Sequence, residues 1–258
     1  MDRLTQAVRQ QIGLGRLLPL GGAADGAWIT EYAAVAALRR AASAALPGVR
    51  LGTVRLALAD PATAVAATVP APPSALPAGP LRLTADFAAT VDEPLPAVAG
   101  RLRGALWSAG AKTLGLDLDA VDLRATALLD EPEAVGSAGA VAAPERPADA
   151  RSGTEAGVEA GVEDDSPAAG VVRAVPGVAR LAPVLGGPAQ AVRVRDRTDE
   201  KPGRHTQVQI AVTEGRCALD VTAAVREAVA VATADGAPGP VTVAVVVTAV
   251  DPVGRTAR

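Results

Sequence analysis

Aromatic, histidine and sulfur-containing side chains are scarce in this chain. Its 258 residues include two Trp, one Tyr, one Phe, one His and one Cys. A single cysteine, Cys217, excludes an intrachain disulfide and a cysteine-based zinc site. A single histidine, His205, leaves little material for a Ser-His-Asp or Cys-His catalytic device. The sequence therefore predicts a protein that is not an enzyme and holds no metal or cofactor.

Long hydrophobic runs are also missing. The longest strongly apolar run, residues 241–250, is about half of the roughly 20 residues that cross a bilayer as a helix. The N-terminal residues Met1-Asp2-Arg3-Leu4 begin no apolar core of the kind that a secretory signal needs. We therefore expect a soluble, cytoplasmic protein without a transmembrane segment.

Alanine, valine, glycine and proline fill most of the chain, and acidic residues collect in its middle. Between residues 131 and 169 there are nine acidic and two basic side chains. This stretch lacks the large apolar side chains that would offset the entropy of ordering, so residues 131–165 are predicted to be a disordered acidic Ala/Gly/Pro linker. The linker separates a first module, residues 1–130, from a second, residues 166–258.

Two matching joints mark corresponding points of the two modules. Leu46-Pro47-Gly48-Val49 and Val175-Pro176-Gly177-Val178 each follow an alanine-rich apolar run and precede a strand-like pattern. Pro47, Gly48, Pro176 and Gly177 are interpreted as helix stops, because proline cannot continue a helix and glycine turns freely. Counted from its helix start to its glycine, the second helix is shorter by about two turns.

Hydrophobic periodicity predicts an α+β fold of two tandem modules. Each module is expected to be a three- to four-stranded mixed sheet with two helices on one face. A short amphipathic helix is predicted at residues 2–12, and residues 13–22 and 60–80 are predicted to be loops, the latter rich in proline. The first module is predicted to contain strand 27–29, helix 31–45, strands 49–58 and 81–87, helix 95–112 and strand 121–127. The second is predicted to contain helix 166–175, strands 190–196 and 206–212, helix 220–233 and strand 241–250.

The best basic patch consists of Arg193, Arg195, Arg197, Lys201 and Arg204. Alternation places the first three on one face of one strand. The patch could bind nucleic acid or anionic lipid, but the second module has no aromatic side chain for base stacking. A charged edge strand that discourages aggregation explains the same residues. His205 follows a turn-rich stretch and is predicted to be an exposed hairpin residue.

The chain resembles the alkaline shock protein family of bacterial envelope stress proteins. The likeness lies in the order of elements and in the motifs Gly26-Ala27-Trp28-Ile29-Thr30, Leu46-Pro47-Gly48-Val49, and Leu114-Gly115-Leu116 leading into Val121-Asp122-Leu123. It covers most of residues 26–130 and, more loosely, 166–251. The chain departs from the family in its Pro-rich loop, in its duplication and in lacking the Tyr-Gly usual after the central strand. It is also similar to streptomycete proteins that carry the label of a nucleopolyhedrovirus p-ten family, whose coiled coils the proline and glycine exclude here.

The first resemblance implies a non-enzymatic protein that associates with other proteins near the cytoplasmic face of the envelope, in a stress response. Its partner would be an envelope-associated protein or a second copy of the chain. The protein itself would lie at the periphery of the membrane. One alternative is a small-molecule binding protein or enzyme with its ligand between the modules or under the Pro-rich loop. A deep pocket with at least two convergent polar side chains would favour that alternative. A further alternative is weak nucleic-acid binding through the basic patch at 193–204.

Overall fold

The computed structural model describes residues 15–129, 166–184, 190–198 and 202–252. These residues form an α+β fold with helices and two sheets, as predicted. The helices are α1 (Glu31–Ala45), α2 (Leu95–Ser108), α3 (Pro167–Ala174) and α4 (Ala218–Ala232). The strands are β1 (Leu17–Leu20), β2 (Ala27–Thr30), β3 (Val49–Leu58), β4 (Leu81–Thr90), β5 (Leu118–Leu129), β6 (Val178–Leu181), β7 (Val192–Arg197), β8 (Gly203–Thr213) and β9 (Val241–Asp251). The predicted helix at 2–12 and linker at 131–165 lie outside the described residues.

Strands β3, β4 and β5 form a three-stranded sheet in that order. β3 runs antiparallel to β4, and β5 runs parallel to it. The inner face buries Leu56, Leu83 and Phe87, which alternate with outward polar residues as the sequence predicted. Helix α2 covers this sheet near β5, and its last part, which the sequence assigned to the same helix, is a π-helical segment at Ala109–Leu114.

The second sheet has six strands, which is more than the three or four predicted for either module. Its order is β1-β2-β9-β8-β6, with β7 also paired to β8. β6 pairs with residues 210–212 of β8 and β7 with residues 203–208, so these two short strands together correspond to β3. β1 and β2 come from the first half of the chain, and β2 lies parallel to β9. The extra strands are therefore a contribution of the first half to the second sheet.

Strand β9 is buried on both faces over most of its length, as its run with few polar residues predicted. Val243, Val245 and Val247 face the main core, which also holds α1 and α4 side chains and the inner face of the three-stranded sheet. Ala244 and Val246 face a smaller core on the other side. Because one main core contains side chains from both halves, the two sheets are packed through a shared interior.

The two Pro-Gly joints follow α1 and α3 and make matching backbone hydrogen bonds. The Thr90 amide donates to the Gly48 carbonyl (3.1 Å), and the Thr213 amide donates to the Gly177 carbonyl (2.9 Å). α1 has 15 residues and α3 has 8, which is the shortening by two turns that the sequence predicted. The joints differ in one respect: Gly177 has a left-handed φ of +98°, and Gly48 has no positive φ.

Candidate functional site

A cleft of about 1010 Å³ opens between the Pro-rich loop and one end of the six-stranded sheet. Loop residues 66–71 and 75–77 form one wall, and residues 195–197, 202–205, 240 and 242 form the other. The loop belongs to the first half of the chain and the strands of the opposite wall to the second. The cleft is therefore built by both halves.

The loop covers only part of the sheet's outer face, and this is why the cleft exists. Trp28, Ala244 and Val246 pack under the loop residue Val69 in the smaller core. The indole Nε1 of Trp28 also donates to the Leu76 carbonyl of the loop (3.4 Å). Thr242 lies two residues before Ala244 in β9, and there the same face of the strand changes from apolar to polar. The cleft begins where the apolar support for the loop ends.

A polar row crosses three strands at this end of the sheet. Arg195 on β7 lies opposite His205 on β8, and His205 lies beside Thr242 on β9. Residues paired in register point to the same face of a sheet, so the three side chains converge on the cleft. All three belong to its lining.

His205 lies in the β7–β8 hairpin, as predicted, but it is half-buried in a strand, so the expected exposure was wrong. Its Nδ1 lies 3.0 Å from the Thr242 Oγ1, and that hydroxyl donates to the Arg204 carbonyl (3.2 Å). The hydroxyl has one proton, so the neutral ring donates from Nδ1 and keeps a lone pair on Nε2. Partial burial, together with the charges of Arg195 and Arg197, lowers the pKa of His205 from its usual 6.5. The ring is therefore neutral at pH 7.

The structure divides the predicted basic patch between two faces. Arg193, Arg195 and Arg197 share the cleft side of β7, as alternation predicted. Arg204 follows the opposite alternation and pairs with Asp196 through two hydrogen bonds of 2.7 and 2.8 Å. It also donates to carbonyl oxygens at residues 233, 235 and 236. The hydrogen bond from Arg204 lowers the pKa of Asp196 and raises that of Arg204. Lys201 lies outside the described residues.

Sequence reasoning named the arginines of β7 and, as one alternative, a ligand under the Pro-rich loop, but it did not predict that this loop faces these arginines. The cleft depends on a loop more than a hundred positions away, and no local pattern reports such a contact. The signal that could have found it is Thr242, a polar residue that precedes the apolar Ala244 and Val246 on the same face of the strand. An unbroken apolar strand would have indicated a completely covered face.

A second surface feature is the outer edge of β5. This 12-residue strand pairs only with β4 among the described residues. The equivalent edge of β9 is occupied by β2. Leu128, near the end of β5, is 58% exposed. Within the described ranges, β5 therefore offers unpaired backbone groups beside an exposed apolar side chain.

No family model matches this chain, and comparison with curated proteins and with solved structures likewise found no match. Within the described ranges, no group of three His, Cys, Asp or Glu side chains is placed to hold a metal ion. None of the helices in the same part of the chain is long and apolar enough to cross a membrane.

Proposed function

We propose that the protein is a non-enzymatic binding protein whose small-molecule ligand lies in the cleft. The observation that carries this proposal is the convergence of Arg195, His205 and Thr242 on a hollow of about 1010 Å³ under the Pro-rich loop. Binding sites for small molecules combine mostly apolar walls with a few converging polar groups, and the cleft has both.

The arrangement supports binding rather than catalysis. Thr242 is the hydrogen-bond partner of His205, and the lining contains neither a serine nor a cysteine that the ring could activate. Asp196, the carboxylate in the lining, is held by Arg204. The side chains of the cleft can therefore position and hold a ligand.

Fluorescence of N-phenyl-1-naphthylamine, an uncharged probe that brightens in apolar sites, tests for a ligand site in the cleft. We expect saturable binding to the wild-type chain. Ala66→Trp should abolish it by filling the cleft, because Ala66 lines the hollow from the loop. Ala62→Trp, in an exposed part of the same loop outside the lining, should bind as the wild type does. Equal binding by all three chains would remove the cleft as the site.

A second candidate function is protein association near the cytoplasmic face of the envelope, in a stress response. Its specific support is the β5 edge, because the same edge of β9 is covered by a strand from the other half. The resemblance to the alkaline shock protein family points the same way. The partner would be an envelope-associated protein or a second copy of this chain.

Sedimentation of the purified chain, alone and with envelope membranes, tests the association. We expect a self-associated or membrane-bound species that Leu128→Lys disperses, because a lysine on an edge strand disfavours strand addition. Val91→Lys, at another exposed apolar residue, is the control. A monomer that recovers no envelope protein would eliminate this second function.

A further inference from the structure

We infer that the ligand of the cleft is an amphipathic anion, with its charged group beside Arg195 and its apolar body against the Pro-rich loop. This inference rests on the proposed function, since it assigns a chemical class to the molecule that the cleft would hold. The two walls of the cleft differ in chemistry, and each suits a different part of such a ligand.

The loop wall contains no charged side chain. Its residues, at 66–71 and 75–77, are alanine, proline, valine and leucine with one threonine. Val69 is buried in the smaller core and anchors this wall to the sheet. Covering the apolar area of such a surface is favourable, and the surface offers few hydrogen-bonding groups to a polar ligand. It therefore selects the apolar part of a molecule.

The strand wall is cationic. Arg195 and Arg197 line the cleft, and Arg195 has no carboxylate partner among the described residues. Asp196 is the acidic residue of the lining, and its charge is already compensated by Arg204 at 2.7 Å. An anion placed here meets the Arg195 guanidinium, whose hydrogen bonds to carboxylate, phosphate or sulfonate are charge-assisted.

His205 and Thr242 add directional groups beside the arginines. The Thr242 hydroxyl and the His205 Nδ1 are bonded to each other, which leaves the Nε2 of the ring for a ligand. An anion that approaches Nε2 favours the protonated ring, which donates a charge-assisted hydrogen bond. The row can thus add to the attraction of the arginines when an anion is bound.

Two fluorescent probes that share one apolar skeleton separate the anionic inference from the proposed function. 8-Anilinonaphthalene-1-sulfonate carries a sulfonate, and N-phenyl-1-naphthylamine has the same arylamine body without it. We expect the sulfonate to bind about tenfold more tightly to the wild-type chain. Arg195→Gln should remove most of that preference and leave the affinity for the uncharged probe unchanged. Arg55→Gln, on the exposed side of the edge strand β3, is the matched control.

Each pattern of results has a separate meaning. If both probes bind equally and Arg195→Gln changes neither, the cleft holds apolar ligands and the anionic inference is wrong while the proposed function stands. If Ala66→Trp leaves the binding of both probes unchanged, the proposed function and the anionic inference are both wrong. If the sulfonate preference survives Arg195→Gln but is lost in Arg55→Gln, the anion binds elsewhere and the inference is again overturned.

An amphipathic anion could be a free single-chain molecule or a lipid in a bilayer, and two further measurements distinguish these sources. Decyl phosphate should displace the sulfonate probe and decanol should not; displacement by both alike would contradict an anionic ligand. Sedimentation with vesicles of phosphatidylglycerol and phosphatidylcholine, but not of phosphatidylcholine alone, would identify a bilayer lipid as the source. Displacement by decyl phosphate without vesicle binding would identify a free amphiphile.

Discussion

The imidazole of His205 carries the titratable chemistry of the cleft. It is partly withdrawn from water, and its neighbours Arg195 and Arg197 are cations. Both effects disfavour the protonated ring, since burial penalises a charge and like charges repel. Thr242 on the adjacent strand accepts a hydrogen bond from the ring without adding charge. Asp196 and Arg204 compensate each other.

Titration of the one histidine by NMR tests this account. In the wild-type chain the pKa of His205 should lie below 6.5, its usual value, and Arg195→Gln should raise it. The rise should be incomplete, because burial is the largest cause of the shift and remains. A pKa at or above 6.5 in the wild type would contradict both the partial burial of the ring and its cationic surroundings.

Folding stability should depend on pH through the same group. Between the depressed folded pKa and 6.5 the unfolded chain binds more protons than the folded one, so the wild type loses stability as the pH falls through that window. His205→Gln lacks this contribution. Thermal unfolding at pH 7.5 and 5.5 should therefore show a larger decrease in Tm for the wild type than for the variant.

The two joint glycines are predicted to differ in their tolerance of a side chain. At Gly177 the φ of +98° disfavours other residues, and a Cβ would lie 2.6 Å from the Val221 side chain. Gly177→Ala should therefore cost about 1–3 kcal/mol of the free energy of unfolding. At Gly48 a Cβ would lie 3.0 Å from the Thr90 hydroxyl, which can rotate away. Chemical denaturation should show a smaller loss for Gly48→Ala, and equal losses would contradict the difference in backbone.

At the scale of elements, the Pro-rich loop is a cover held by a few contacts. The Leu76 amide donates to the Leu17 carbonyl (2.9 Å), and the Thr68 amide donates to the Ala23 carbonyl (2.9 Å). Val69 is the loop's buried anchor at 8% exposure, against Ala244, Val246 and the ring of Trp28. The packing of Val69 thus adds to these hydrogen bonds in holding the loop on the sheet.

Val69→Ala should loosen the loop and cost roughly 1–2 kcal/mol of the free energy of unfolding. Val65→Ala is the matched control, because Val65 lies in the same loop and is 59% exposed. In a Trp107→Phe background, the emission of Trp28 should shift to longer wavelength in Val69→Ala alone. Equal effects of the two valine substitutions would show that the smaller core does not hold the loop.

Local patterning predicted most elements but not their partners. β3 and β4 follow apolar–polar alternation, which is a property of the strand itself, and both were predicted from it. β1 lies in the glycine-rich stretch 13–22, which was predicted to be a loop; in the structure its four residues are buried, and they show no apolar–polar alternation. Its strand conformation comes from pairing with β2. A ligand under the Pro-rich loop was one of the alternatives drawn from the sequence, but the residues that face the loop were not predicted, since the cleft depends on a loop and a hairpin that are distant in sequence.

At the scale of the whole molecule, the halves are joined by more than the linker. Thr30 caps α1 by accepting from the Ala33 amide (3.2 Å), and its hydroxyl also lies 3.4 Å from the Thr248 carbonyl, 218 residues away. Arg40 on α1 pairs with Glu214 at 2.9 Å and donates to the Val250 carbonyl. Residues of the first half thus complete hydrogen bonds of the second.

Because β2 fills the edge of β9, we predict that the two halves fold together. The boundaries 1–130 and 166–258 follow the composition of the chain, but a fragment that begins at residue 151 lacks the strand beside Val245 and Val247. It would expose an apolar strand edge and part of the main core. Fragments 1–150 and 151–258 should therefore each lack a cooperative thermal transition when alone.

Coexpression of the two fragments should yield a complex that copurifies and unfolds in one transition. Ile29→Asp in the first fragment should prevent the complex, because Ile29 is fully buried in β2 and pairs in register with Val247. Val91→Asp, at a 62% exposed position outside the strands, should leave the complex intact. If each fragment instead unfolds cooperatively by itself and the two stay apart, the halves are independent domains, and the β2–β9 pairing contributes little to either.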